Sequence, residues 1–105
     1  MRLLLAALAG LALAAPAAAT SLPSFDTAAY CAKVGYIGMT QSTVALDGCV
    51  TQEIAARAEL TSGWDALTPN EQTHCTTAAT FAGDGSYAVL RSCLARLSAD
   101  AALAN

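Results

Sequence analysis

Four cysteines, one histidine and eight scattered carboxylates are the residues of this 105-residue chain that could do chemistry. Cys31 and Cys49 enclose 17 residues, 25 follow, and Cys75 and Cys93 again enclose 17. The spacing holds no C-x-x-C of a redox or haem-attachment motif and no close Cys/His pairs of a zinc site. The cysteines therefore read as two structural disulfides. His74 adjoins Cys75, and as a catalytic base it would need a nucleophile and an orienting carboxylate within reach. Adjacent helical residues point about 100° apart. With Cys75 turned inward, His74 is expected at the solvent or the boundary.

Asp47, Glu53 and Glu59 are spaced by six, which does not gather them on one helical face. They are expected to be solvated, with Glu53 and Arg57, four apart, as an ordinary surface pair. Arg91 and Arg96 are too sparse for an anion site. No G-x-S-x-G, HExxH, P-loop or dinucleotide fingerprint occurs. No catalytic residue, cofactor site or metal site is predicted.

Met1–Ala19 reads as a signal peptide: Arg2 is a minimal positive region, Leu3–Ala15 an unbroken apolar run, and Ala17 and Ala19 are small residues at −3 and −1. The run of 13 residues falls short of the about 20 that a membrane span needs. Cleavage before Thr20 leaves 86 residues, one domain, with no stable membrane insertion and a periplasmic or secreted location by bacterial export. So short a chain has a limited core, and covalent staples are expected of it. Four cations against eight anions leave the mature chain at −4. A nucleic-acid partner would need clustered positive charge, which is absent.

The elements that position these residues repeat. A shift of 44 residues lays Cys31 on Cys75, Cys49 on Cys93, Ser42 on Ser86, Leu46 on Leu90, Ile37 on Phe81 and Val50 on Leu94. Two pseudo-repeats, about 24–63 and 68–105, are predicted to share one helix–loop–helix shape. Ser24 or Asp26 caps a short helix ending near Gly35, and Ser42 or Thr43 opens a longer one that stops near Gly63. Thr68-Pro69-Asn70-Glu71 marks a third start, with an N-cap hydroxyl, Pro at the first helical position and Glu at the third. That helix runs to about Phe81, where Ala82–Gly85 breaks it. Ser86 caps a fourth, with Leu90, Cys93, Leu94, Leu97 and Ala101 at helical spacing. No stretch alternates as a strand does. The fold class is all-α.

Four cysteines allow three pairings. Cys31 and Cys49 lie about four and six residues from the loop ends of their helices, Cys75 and Cys93 about six and seven. At about 1.5 Å rise per residue, each pair is nearly level on antiparallel helices. Cys31–Cys49 and Cys75–Cys93 are therefore favoured over the nested Cys31–Cys93 with Cys49–Cys75. The architecture expected is four helices in two tandem disulfide-stapled αα-hairpins.

Trp64, between the halves, is expected to cover the seam, with a recognition anchor as the competing reading. Tyr36 and Tyr87 sit at loop boundaries and join Trp64 as candidate interaction residues. Loops 36–42 and 82–86 lie at the same end of their hairpins and could form a binding edge.

Asp84-Gly85-Ser86-Tyr87 with Leu90 and Cys93, Cys75 ahead and Trp64 upstream, resembles a group of short secreted proteobacterial proteins, described as uncharacterised, that carry two C…GSY…L…C modules. The first half departs from that pattern, with Gln41-Ser42-Thr43 in place of Gly-Ser-Tyr, although Leu46 and Cys49 are kept. The resemblance implies the helical module and export, and brings no activity.

The function expected is an exported, non-enzymatic structural or interaction protein that binds a protein or envelope component. The alternative is a carrier of a small apolar ligand or lipid. An enzyme using His74 is the weakest class.

Overall fold

A computed structural model describes residues 18–37, 39–81 and 83–104. The expected leader lies outside them except for Ala18 and Ala19. Helix α1 (Thr27–Val34) is followed by a small ribbon, β1 (Tyr36–Ile37) and β2 (Thr40–Gln41). Helix α2 (Thr43–Gly63) leads through a 3-10 turn (Trp64–Ala66) to α3 (Pro69–Thr80), and α4 (Tyr87–Ala104) closes the chain. The all-α class holds, with one amendment: the stretch expected as an irregular loop after α1 pairs Tyr36 with Gln41 and Ile37 with Thr40 in antiparallel register. Tyr, Ile and Thr are residues that extended pairing favours, and the run is too short to show alternation.

Local side chains start every helix. Asp26 Oδ1 accepts from the Ala29 N–H at 3.0 Å, and Ser42 Oγ from the Ala45 N–H at 3.2 Å. Thr68 and Glu71 form a reciprocal capping box at 3.1 and 2.9 Å, ahead of a first turn that opens on Pro69. Ser86 Oγ accepts from the Val89 N–H at 3.2 Å. Each cap satisfies donors that the first turn of a helix leaves without intrahelical partners. Past α3, Gly83 adopts φ +116°, a conformation side-chain-bearing residues rarely take, so the chain reverses there.

Both bridges are within hairpins: Cys31–Cys49 joins α1 to α2 and Cys75–Cys93 joins α3 to α4, with Cα separations of 5.6 and 5.5 Å. The hairpins are nevertheless unequal. The core comprises Ala56, Leu60, Trp64, Cys75, Ala79, Tyr87, Leu90 and Cys93, all from the second half of α2 onward. From α1 through the first half of α2 the only buried apolar side chain among the described residues is Cys31. The reason lies in side-chain volume. Helix α1 is eight residues, three of them alanine, whereas Trp64, Tyr87 and Leu90 lie in the second half and exclude water around them. Helix α2 serves both halves: its start is bridged to α1, and its end packs on α4.

Ahead of α1, residues 20–25 run without helix or strand across the second hairpin. A Lys33 Nζ–Asp84 Oδ2 pair at 2.6 Å connects the end of α1 to the turn before α4.

Candidate functional site

Buried polar groups are where chemistry would be expected. Glu53 is 1% exposed. It lies on the same stripe of α2 as Ala56 and Leu60, at i, i+3 and i+7, and that stripe faces α4. Its Oε1 accepts from the Tyr87 N–H at 2.8 Å. Its Oε2 accepts from the Ala88 N–H at 2.8 Å and from the Ser86 hydroxyl at 3.0 Å. A carboxylate is thus inserted at the N-terminus of α4, where unpaired N–H groups and the helix dipole favour negative charge.

This corrects two expectations. Glu53 is not solvated, and it does not pair with Arg57. The Arg57 guanidinium lies 5.8 Å from the centre of the Tyr87 ring instead. Asp47 and Glu59 do remain exposed, and Glu59 meets Arg91 at 3.2 Å on the surface. The i, i+4 spacing of Glu53 and Arg57 suggested a surface pair. The signal that pointed elsewhere was the apolar register that Glu53 shares with Ala56 and Leu60.

Glu53 and Ser86 superficially form a base–nucleophile pair. Ser86 is fully buried, however, and its oxygen already accepts from the Val89 N–H. No substrate atom can approach it in this conformation, so the pair holds the helix start in place.

A second polar cluster surrounds Trp64. The indole Nε1 donates to the Thr20 carbonyl at 2.7 Å, the Thr20 N–H donates to Gln72 Oε1 at 3.0 Å, and Gln72 Nε2 donates to the Trp64 carbonyl at 3.0 Å. The Tyr87 hydroxyl donates to the Pro23 carbonyl at 3.1 Å and accepts from the Phe25 N–H at 2.9 Å. The Phe25 ring packs on Tyr87 at 4.8 Å between centroids. It also occupies the space where a Cβ on Gly85 would lie. The Gly-Ser-Tyr run thereby gains a physical reading: room for Phe25, a cap for α4, and an anchor for residues 23–25. No buried side-chain nitrogen or oxygen among the described residues lacks a partner.

These contacts agree with Trp64 as a seam residue and set aside its competing reading as a recognition anchor, along with the interaction reading of Tyr87. Trp64 and Tyr87 are buried, and Trp64 fills the space between α2 and the second hairpin, so neither presents a surface to a partner. Tyr36 is 54% exposed, beside Met39 at 98% and Val44 at 83%, with Val34 also exposed. Four apolar side chains therefore stand out from the tip of the first hairpin. The sequence points to Tyr36 by name and to Met39 only within loop 36–42, and it leaves Val34 and Val44 unmarked, since burial of such residues depends on what packs over the tip. The tip is held by the ribbon, by the Ser42 N–H donating to the Gly35 carbonyl at 2.7 Å, and by the Cys31–Cys49 bridge.

Elsewhere, a groove of about 270 Å³ between α2 and α4 is floored by Leu60, Leu67 and Leu94, with Glu59 and Arg91 among its lining. His74 is exposed, as expected, and borders a cleft of about 240 Å³ with Arg96 and Asp100. Among the described residues no group of three or more His, Cys, Asp or Glu side chains is arranged to hold a metal, and no helix is long and apolar enough to cross a membrane. Comparison with known proteins gives no matching family model, no similar curated protein and no similar solved structure.

Proposed function

We propose that this chain is an exported, non-enzymatic interaction protein that binds a protein or envelope component through the tip of its first hairpin. The observation that carries this reading is the exposure of Val34, Tyr36, Met39 and Val44 within an eleven-residue stretch that is stapled and hydrogen-bonded into one shape. Apolar side chains grouped in this way are unfavourable in water and mark contact surfaces. Export is supported by the leader pattern of residues 1–19 and by two bridges, which form and persist in oxidising compartments such as the periplasm or the exterior. The buried carboxylate, hydroxyl and amide groups are engaged in holding the frame, which leaves recognition to the surface.

The test is capture from the native envelope with the exported protein, in parallel with a variant carrying Tyr36→Ser, Met39→Ser and Val44→Ser. A species retained by the parent and lost by an equally stable variant supports the reading. Equal retention by both removes it. The carrier reading draws on the leucine-floored groove between α2 and α4. A lipid found bound to the purified exported protein by native mass spectrometry, and lost on Leu94→Asn, would favour that reading instead.

A further inference from the structure

The chain is tied into the second hairpin from Thr20 onward. Both main-chain groups of Thr20 are engaged, its N–H by Gln72 Oε1 and its carbonyl by Trp64 Nε1. Gln72 and Trp64 are themselves buried and joined to each other, so the three residues close a ring of hydrogen bonds. The ties continue through Pro23 and Phe25 to Tyr87. Ala18 and Ala19 are exposed. The bond that the leader pattern marks for cutting, Ala19–Thr20, is therefore the first one outside the anchored strap.

We propose that Thr20 is the mature N-terminus and that Gln72 is the receptor for its freed ammonium group. This rests on the export reading. A leader peptidase accepting small residues at −3 and −1 adds water across the bond between the Ala19 carbonyl carbon and the Thr20 nitrogen. The leader departs with a carboxylate on Ala19, and the Thr20 nitrogen takes up a proton. The donor facing Gln72 Oε1 changes from a neutral amide to a cation without moving. Charge-assisted hydrogen bonds are roughly twice as strong as neutral ones. Thr20 is exposed as a residue, so its other ammonium protons are hydrated and no charge is buried. A cut one residue later would remove both Thr20 groups. It would leave Gln72 Oε1 and Trp64 Nε1 unpaired inside the protein, the costly outcome for buried polar atoms.

Expression of the full chain in a secreting Gram-negative host, followed by intact mass and N-terminal sequencing, is expected to show a start at Thr20. Retention of the leader would overturn the export reading. Processing at another bond would overturn this assignment alone.

The receptor role is tested on the mature protein in a Lys33→Arg background, where the Thr20 ammonium is the chain's only amine. The free form is compared with the form acetylated at that amine and with a form starting at Ser21. Trp64, the sole tryptophan, reports locally. The acetylated form should melt several degrees lower than the free form. The Ser21 form should melt lower still, with a red-shifted Trp64 emission, or fail to fold. Thr20→Ala, which keeps both main-chain bonds, should match the parent. Identical melting of the free and acetylated forms would refute the role of Gln72 as a receptor for the ammonium.

Discussion

Replacement of Glu53 tests the centre of the fold most directly. Three donors converge on its carboxylate, from Ser86 Oγ at 3.0 Å and from the Tyr87 and Ala88 N–H groups, both at 2.8 Å. Glu53→Ala leaves the Tyr87 N–H without a protein partner in a fully buried setting and the Ala88 N–H without one in a half-buried setting. The Ser86 hydroxyl can rotate, so its loss counts least. An orphaned buried donor costs about 1–3 kcal/mol, and the lost charge at the helix start up to about 2 kcal/mol. These contributions overlap, and about 3–4 kcal/mol is expected for Glu53→Ala. Glu53→Gln keeps the shape and one acceptor oxygen, but it loses the charge and turns an NH2 toward another donor. About 2 kcal/mol is expected for it. Exposed Glu59, paired with Arg91 on the surface, provides the control: Glu59→Ala should cost under about 1 kcal/mol.

The assay is urea unfolding of the oxidised proteins, followed by far-ultraviolet circular dichroism. Hydrogen exchange at the Tyr87 and Ala88 amides would localise the effect. In a domain of this size, 3 kcal/mol corresponds to a fall in melting temperature of roughly 12–24 °C. If Glu53→Gln and Glu53→Ala both unfold with Glu59→Ala, the carboxylate does not hold α4, and the reasoning fails.

Gly85→Ala should destabilise by about 1–3 kcal/mol, because the added methyl overlaps the Phe25 ring. Combined with Phe25→Ala the cost should be less than the sum, which a double-mutant cycle measures. Paired replacement of Cys31 and Cys49 by alanine should loosen α1 and lower stability by about 3 kcal/mol. It should leave Trp64 fluorescence unchanged, since the core around Trp64 draws no side chain from α1. Paired replacement of Cys75 and Cys93 removes two members of that core and should change the Trp64 emission. Tyr36→Ser and Met39→Ser should alter stability by no more than about 0.5 kcal/mol, as measured by thermal melting, because exposed sites tolerate exchange.

Much of this protein was legible before its structure. The helix starts at Asp26, Ser42, Thr68 and Ser86 are local events: each cap hydroxyl or carboxylate reaches an N–H three residues on, within one turn of chain. The pairing of the cysteines was also within reach, because level positions on antiparallel helices follow from counting residues at a known rise. What counting could not supply was which hairpin would hold the core and which face each helix would turn inward. Glu53 looked like a surface residue because it shares no helical face with Asp47 or Glu59 and stands four residues from Arg57. Its partners, Ser86 and the amides of Tyr87 and Ala88, lie more than thirty residues away. Trp64 was expected to cover the seam between the hairpins, but neither its burial nor that of Tyr87 could be traced to particular partners. Both are buried because residues 20–25 fold back over them and supply the carbonyls their polar ends require. Local propensity and spacing, then, determined the four helices, the two bridges and the absence of a recognisable catalytic motif. Only tertiary packing decided that a carboxylate would close the start of α4, that the N-terminal strap would cover the aromatic residues, and that the first hairpin would be left with its apolar tip in water. The physical reason is that burial is set by what comes from elsewhere in the chain, and a residue's immediate neighbours carry no record of it.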